Sequence, residues 1–229
     1  MQPELPPQIQ SDISAQTPQG THHNHSISLS ATRYIHQIQQ HQAAPVTNIS
    51  FQLPGWVNTE IDWKNIYTDD IQKMNLAINL SRKNVEHQTG GPFGAAVFNR
   101  HTHALISVGM NLVVPQNNST LHAEIVAIMT AQQRIGSWRL GEDYILCSSA
   151  SPCVMCLGAT LWAGPGKLIA GAEREDVEAL GFKEGPVFSN FYDYLQQQGV
   201  EIILGVQQKE AKAVLETYQK NSGIIYNAT

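Results

Sequence analysis

Two short segments carry the residue types that could bind a metal ion and use it in catalysis. One is His122-Ala123-Glu124 and the other is Pro152-Cys153-Val154-Met155-Cys156. Zinc is bound by imidazole and thiolate in a tetrahedral arrangement, and cysteines three apart in one helical turn face the same way. His122, Cys153 and Cys156 would supply three protein ligands. A fourth position would then be left for water, which is typical of a catalytic zinc site rather than a structural one.

A carboxylate accompanies this predicted zinc site. Glu124 lies two residues after His122, so we expect it to reach the same cavity without binding the ion. Zinc lowers the pKa of a bound water to roughly 7, so that hydroxide forms near neutral pH and can add to a ring carbon that carries an amino group. Glu124 would take a proton and deliver it to a ring nitrogen and to the leaving amine, which departs as ammonia. The remaining thiol, Cys147, falls in a predicted strand and is expected to pack in the core.

The order of the two segments matters more than either one alone. His-x-Glu followed by Pro-Cys-x-x-Cys is the signature of zinc deaminases, whereas Cys-x-x-Cys by itself also occurs in redox proteins and zinc ribbons. His122 and Cys153 are 31 positions apart, and each falls at a predicted helix start. The sequence therefore predicts a zinc-dependent hydrolytic deaminase that acts on a purine-like or pyrimidine-like ring.

Helices and strands are predicted to alternate from about Trp56 onward, which indicates a three-layer α/β/α domain around one sheet. Thr68 is the expected cap of the first helix, Gly136 the expected end of the helix that carries Glu124, and Pro152 a first-turn residue of the helix that carries Cys156. Apolar spacing predicts strands at 93–99, 104–110, 144–148, 167–172 and 200–204. It also predicts a helix after Thr68 that runs through Leu80 and is broken at 90–92, and helices at 122–135, 152–163, 174–180, 188–198 and 209–220.

The first part of the chain has a different composition. Residues 1–55 are rich in Gln, Ser, Pro, Thr and His, and this composition cannot bury enough apolar surface to offset the loss of chain entropy. We expect a low-complexity, disordered N-terminal extension at 1–55, with a short helix near 31–40, and a deaminase domain at 56–229. The cluster His22, His23 and His25 is expected to be solvated.

Charge and cysteine content narrow the class of partner and the compartment. The 229 residues carry a formal net charge of -5, with a sequence pI of about 6.0. A nucleic-acid-binding domain usually has a basic stripe, so we expect a small-molecule substrate and no nucleic acid. The three cysteines do not form a disulfide framework, and no signal peptide or membrane segment is evident. The expected location is the cytoplasm.

From about residue 70 to 228 the chain resembles the cytidine deaminase superfamily. Gly91-Pro92-Phe93-Gly94-Ala95 resembles the strand opening that lies beside the substrate in that family. With His122 rather than a cysteine as first ligand, the chain resembles the branch that contains guanine, tRNA adenosine, riboflavin-pathway and deoxycytidylate deaminases. The resemblance implies the cytidine-deaminase-like fold with a central five-stranded mixed sheet, and Zn²⁺ as cofactor.

Within this branch the chain is most similar to bacterial guanine deaminases, including those that also accept ammeline. The resemblance rests on three stretches, at 149–159, 176–186 and 222–228. It implies that Glu184 is a second catalytic carboxylate and that Asn111 anchors the ring. It also implies a homodimer that exchanges C-terminal segments, and a place in purine catabolism. Further ring contacts are expected from Phe93, Ala123, Trp162 and Tyr226.

The residues themselves leave alternatives open. Glu184 could be a solvated loop acid, and Asn111 could simply shape a turn. Phe93 and Trp162 could be core residues, and Tyr226 part of a packed terminus.

The competing functions are a tRNA adenosine deaminase, another nucleoside or cytosine deaminase, and a non-catalytic zinc-binding subunit. A tRNA enzyme should have a basic last helix, but in the final 30 residues Lys209, Lys212 and Lys220 are matched by Glu201, Glu210 and Glu216. A non-catalytic subunit typically loses the acid that Glu124 supplies.

Overall fold

The computed structural model describes residues 48–188 and 190–227. The chain divides into two units, Met1–Ser50 and Phe51–Thr229, and nearly all described residues belong to the second. The predicted helix near 31–40, the histidines at 22, 23 and 25 and most of the predicted disordered extension lie outside the described residues. The described elements are α1 (Trp56–Glu60), α2 (Asp70–Glu86), β1 (Gly94–Asn99), β2 (Leu105–Met110), α3 (Ala123–Ile135), β3 (Tyr144–Ala150), α4 (Val154–Ala163), β4 (Lys167–Ala172), α5 (Arg174–Glu178), α6 (Asn190–Gln197), β5 (Glu201–Ile203) and α7 (Gln208–Lys220).

The strands form one five-stranded mixed sheet in the order β2-β1-β3-β4-β5. β1 pairs antiparallel with β2 and with β3, whereas β3–β4 and β4–β5 are parallel. Each parallel pair is connected through a helix, as parallel strands require. The predicted fold class, a cytidine-deaminase-like α/β fold with a central five-stranded mixed sheet, is confirmed.

Side chains alternate between two apolar clusters, one on each face of the sheet, because successive strand residues point to opposite sides. Along β1, Ala96 and Phe98 join a cluster with α2 and α7 residues, and Ala95 and Val97 join one with α3 and α4 residues. β1, β3 and β4 are buried on both faces, which accounts for their continuous apolar character.

Two predicted helix starts have a different cap or first-turn residue in the structure. The prediction that Thr68 caps α2 is wrong: the carboxylate of Asp69 accepts the hydrogen bond from the backbone N–H of Gln72 at 2.8 Å, because a charged oxygen satisfies that donor better than a hydroxyl. Pro152 is not in the first turn of α4 either, since the cap position is Cys153. The predicted end of α3 at Gly136 is confirmed, with φ of 69°.

Glycine lets one helix start lie directly on the sheet. A Cβ atom built on Gly109 of β2 would come 2.1 Å from the carbonyl oxygen of Ala123, so only glycine permits this close approach. The first turn of α3, with His122 before it and Glu124 within it, is thereby held against the end of β2. Among the described residues, no helix has both the length and the apolarity that crossing a bilayer requires.

Candidate active site

Two helix N-termini converge beyond the carboxyl end of β3. α3 begins directly after His122, and α4 begins directly after Cys153, which follows β3 by three residues. Both cap residues have extended backbone conformations, with ψ of 158° for His122 and 172° for Cys153, so each side chain lies at the mouth of its helix. The partial positive charge of a helix N-terminus favours anionic groups there, including thiolates.

These helix starts bring three metal-ligating side chains together. The ligand atoms of His122, Cys153 and Cys156 all lie within 4.8 Å of one another, and Nδ1 of His122 is 3.5 Å from Sγ of Cys153. Cys156 is fully buried and Cys153 is nearly so. One imidazole and two thiols at this spacing fit the soft, tetrahedral preference of zinc, so these three residues could hold the ion.

The two thiols share a proton when no cation neutralises them. The polar contact with Cys156 outweighs burial and lowers the pKa of the Cys153 thiol to about 4. The same contact, together with burial, raises the pKa of the Cys156 thiol. A divalent cation favours both thiolates, so we expect metal binding to release the shared proton.

Glu124 lies beside the thiols in a buried position. It is 6% exposed, and its Oε2 accepts a 3.4 Å hydrogen bond from the thiol of Cys156. Burial raises its pKa, and the negative charge of Cys153 adds to the effect. Burial lowers the pKa of His122, but its contact with Cys153 and the charges of Cys153, Glu124 and Glu184 outweigh burial and raise it. A carboxyl with a raised pKa can accept and release a proton near neutral pH.

A pocket of about 540 Å³ opens in front of this cluster. Asn111 is fully buried at its wall, where its side-chain oxygen accepts from the backbone N–H of Val113 at 3.3 Å. The amide nitrogen Nδ2 of Asn111 and the hydroxyl of Tyr226 are both buried without a hydrogen-bond partner among the described residues. Buried polar atoms are usually paired, so two such atoms in one pocket indicate that a ligand completes them.

Aromatic rings form another side of the pocket. The ring of Phe182 lies 5.2 Å from that of Phe93 and 5.1 Å from that of Tyr226, in edge-to-face arrangements. Ala123 also lines the pocket. The sequence reasoning overlooked Phe182, although it lies two residues before Glu184 in a stretch already singled out. Apolar and aromatic walls with a few polar groups are typical of small-molecule sites.

The second acid, Glu184, also lines the pocket. Its backbone carbonyl accepts from the N–H of Val154 at 3.1 Å, so its loop is tied to the start of α4. Gly185, the next residue, has φ of 77°, a conformation that glycine adopts readily. Burial, followed by the charges of Cys153 and Glu124, raises the pKa of Glu184 to about 8.

The C-terminal segment closes this pocket within the same chain. The side chain of Asn227 accepts from the N–H of Lys183 at 2.8 Å and donates to the carbonyl of Gly181 at 2.9 Å. The hydroxyl of Tyr218 donates to the carbonyl of Ile224 at 2.9 Å. These contacts hold Tyr226 between the two anchors, with its ring edge-on to that of His122 at 6.4 Å.

One candidate is not brought to the pocket. Trp162 is 78% exposed and lies on the outer side of α4. It follows Cys156 by six residues, which at 100° per residue turns its side chain well away from the face that carries the thiol. The expectation that Trp162 contacts the ring is therefore corrected for the single chain.

Comparison with known proteins agrees with this site. Residues 67–172 match the cytidine and deoxycytidylate deaminase zinc-binding region. Guanine deaminase of Bacillus subtilis is 38% identical over 49% of this chain and 70% of its own length. A tRNA-specific adenosine deaminase of Haemophilus influenzae is 31% identical over 65% of this chain and 82% of its own length. The structure of a guanine deaminase from Nitrosomonas europaea, 34% identical, aligns over 78% of this chain and 100% of its own, with a TM-score of 0.73.

The chain therefore belongs to the cytidine and deoxycytidylate deaminase family. It is a zinc-binding, hydrolytic deaminase.

Proposed function

We propose that this enzyme deaminates a free nucleobase and that this base is guanine, which is converted to xanthine and ammonia. The observation that carries the proposal is the pair of unpartnered buried atoms, Nδ2 of Asn111 and the hydroxyl of Tyr226, in the pocket that also contains Glu124. A purine presents acceptors and donors around its edge, so it can satisfy both atoms at once. The aromatic rings of Phe93 and Phe182 supply the apolar surface against which a flat ring packs.

The residues of the chain divide the work of the reaction. His122, Cys153 and Cys156 would hold the zinc ion, and when bound it supplies an activated water for addition to the ring carbon. Glu124 would take one proton of that water and deliver it to the ring nitrogen, and would then carry the second proton, from the hydroxyl added to the carbon, to the amino group. The carbon–nitrogen bond breaks, the carbon keeps the oxygen, and the amine leaves as ammonia. Water and guanine are thereby converted to xanthine and ammonia with all atoms accounted for.

Glu184 is proposed to bind the ring or to move a second proton. Burial raises the pKa of its carboxyl and so favours the protonated form, which can donate to a ring acceptor. Asn111 would donate from Nδ2, because its oxygen is already engaged by Val113.

The similarity to guanine deaminases supports a free base as substrate. A further crystal structure, determined in complex with 2,6-diaminopurine, is 37% identical over 78% of this chain and 96% of its own, with a TM-score of 0.72. The position of Tyr226 and Asn227 over the pocket also favours a small ligand, because a nucleotide within an RNA loop would need that opening for its backbone. Ammeline, a triazine that resembles part of the purine, is an additional expected substrate.

A tRNA adenosine deaminase is the second candidate, and cytosine or nucleoside deaminases of the same family follow it. The 31% identity to tRNA-specific enzymes favours this candidate. The net charge of -5 opposes it, because RNA binding relies on basic residues that neutralise phosphates.

The proposal includes a homodimer in the cytoplasm that takes part in purine catabolism. Three unpaired thiols, at 147, 153 and 156, suit a reducing compartment. Exchange of the C-terminal segments between subunits would put Tyr226 of one subunit over the pocket of the other. Light scattering on the protein as it elutes from a size-exclusion column measures the mass of the assembly. A monomeric mass would refute the dimer.

The test is ammonia release by zinc-loaded protein with guanine, ammeline, guanosine, cytosine, cytidine, adenine and a tRNA anticodon stem. Turnover of guanine with little turnover of the nucleosides supports the proposal. Turnover of the tRNA stem alone, or of a cytosine compound alone, refutes it. Protein loaded with zinc and then treated with a chelator serves as the inactive control.

A further inference from the structure

A chain of side-chain hydrogen bonds leads from α1 to the backbone of Asn111. The indole N–H of Trp56 donates to the hydroxyl oxygen of Thr89 at 3.1 Å, and that hydroxyl donates to Oδ1 of Asn84 at 2.8 Å. The amide nitrogen of Asn84 then donates to two carbonyls, that of Gly91 at 2.8 Å and that of Asn111 at 2.9 Å. Asn84 is fully buried.

The direction of this chain is fixed by chemistry. An indole N–H can only donate and a carbonyl can only accept, so Thr89 accepts from Trp56 at one end and Asn84 must turn its NH₂ group to the two carbonyls at the other. Oδ1 of Asn84 thus accepts, and its NH₂ group faces the two carbonyls. The opposite orientation of the amide would bring its oxygen against two carbonyl oxygens. The two carbonyls therefore fix the amide orientation, and the hydroxyl of Thr89, held by Trp56, satisfies the amide oxygen of Asn84.

The two carbonyls belong to segments next to the ring-binding wall, by which we mean the side of the pocket formed by Phe93, Asn111, Phe182 and Tyr226. The backbone N–H of Asn111 donates to the carbonyl of Phe93 at 3.0 Å, so Asn84 and Phe93 hold Asn111 from both sides. The packing is tight, since a Cβ atom on Gly90 would lie 1.9 Å from the carbonyl oxygen of Asn111. These contacts hold the backbone of Asn111, from which its side chain lines the pocket.

From this geometry we infer that Asn84, Thr89 and Trp56 are positioning residues that set the direction of the Asn111 amide toward the substrate ring. The inference rests on the proposed function in one respect, the role of Asn111 as ring anchor. Trp56 lies outside residues 67–172, which match the zinc-binding region of the family.

Thr89→Val tests the inference, because valine keeps the shape of threonine and removes the hydroxyl. Loss of one buried hydrogen bond predicts a rise in KM for guanine of about fivefold, with kcat within about twofold of wild type. A purely structural role would lower the amount of active enzyme, and hence kcat, without changing KM. Thr130→Val is the matched control: Thr130 is also half-buried, and its hydroxyl bonds the carbonyl of Val126 within α3. The control should keep the wild-type KM.

A double-mutant cycle with Asn111→Ala separates the two roles. If Thr89 acts through Asn111, Thr89→Val should change KM less than about twofold in the Asn111→Ala background. An undiminished effect in that background, or no effect of Thr89→Val on KM, overturns the inference. An unchanged KM in Asn111→Ala alone refutes the ring-anchor role of Asn111 instead. The positioning role of Asn84, Thr89 and Trp56 is then tested by a measurement that needs no substrate.

That measurement is hydrogen exchange at the backbone amides of residues 111–113 in the zinc-loaded protein. Faster exchange in both Thr89→Val and Trp56→Phe than in wild type and Thr130→Val supports the inference whatever base is turned over. Equal exchange in all four proteins overturns it. Trp56→Phe keeps an aromatic ring beside His87, with which Trp56 stacks at 5.6 Å, and removes only the donor.

Discussion

Replacing Glu124 by glutamine removes the proposed proton carrier and little else. The side chain keeps its length, and an amide oxygen can still accept the hydrogen bond that the thiol of Cys156 makes to Oε2 at 3.4 Å. Because burial already raises the pKa of Glu124, a neutral amide suits this environment at least as well as a carboxylate. We therefore expect the variant to fold and to melt at the wild-type temperature or slightly above it.

The expected loss of activity follows from the position of Glu124. A positioned acid–base group typically contributes about 10²- to 10⁴-fold to the rate. Glu124 is 6% exposed, so bulk water has little access to replace it. We therefore expect kcat to fall by about 10³-fold or more, within that range, and the zinc content to remain at one ion per chain because Glu124 is not a proposed ligand.

The assay is ammonia release at saturating guanine, with metal analysis of the same samples. Glu178→Gln is the matched control, since Glu178 is exposed on α5. The control should keep wild-type kcat. A kcat for Glu124→Gln within about tenfold of wild type would refute the proton-transfer role, because that is below the usual contribution of such a group. Loss of zinc in Glu124→Gln would show that this residue binds the ion.

Three further predictions follow from the site. Cys156→Ser should lose most of its zinc in metal analysis, because a hydroxyl does not ionise as a thiolate does. Asn111→Ala should raise the KM for guanine by about five- to tenfold, as expected for one lost hydrogen bond, with a smaller change in kcat. The third concerns Glu184: an unfolded Glu ionises near 4.5, but its pKa in the folded protein is about 8. Between these values only the unfolded state loses the proton, so the zinc-free wild type should lose stability as pH rises, and Glu184→Gln should gain relative to it in thermal unfolding.

The metal ligands and Glu124 can be predicted from the sequence because they lie in two short segments. Each lies within one helical turn of a helix start, so spacing alone fixes which side chains share a face. The sheet was also accessible, since strands buried on both faces have continuous apolar sequences. The structure brings His122, Cys153 and Cys156 together as the segment order predicted.

The ring-binding wall could not be read in the same way. Phe93, Asn111, Phe182 and Tyr226 come from four separate parts of the chain, and only the tertiary fold brings them to one pocket. The hydrogen bond from α1 to Thr89 is even harder to predict from the sequence. Trp56 and Thr89 meet across 33 positions of sequence, and no local pattern predicts their contact. Trp162 shows the limit of reasoning from one helix, since it lies on the helix of Cys156 but is exposed and away from the pocket of the single chain.

The central claim is that the zinc-loaded protein converts guanine to xanthine by adding water at the carbon that carries the amino group. The most direct measurement is mass spectrometry of the product formed in isotopically labelled water, together with the ammonia released. We expect xanthine with one labelled oxygen atom for each ammonia, and no product after the zinc has been removed. The proposal would be contradicted if guanine stayed unchanged while the same zinc-loaded protein deaminated another member of the substrate panel.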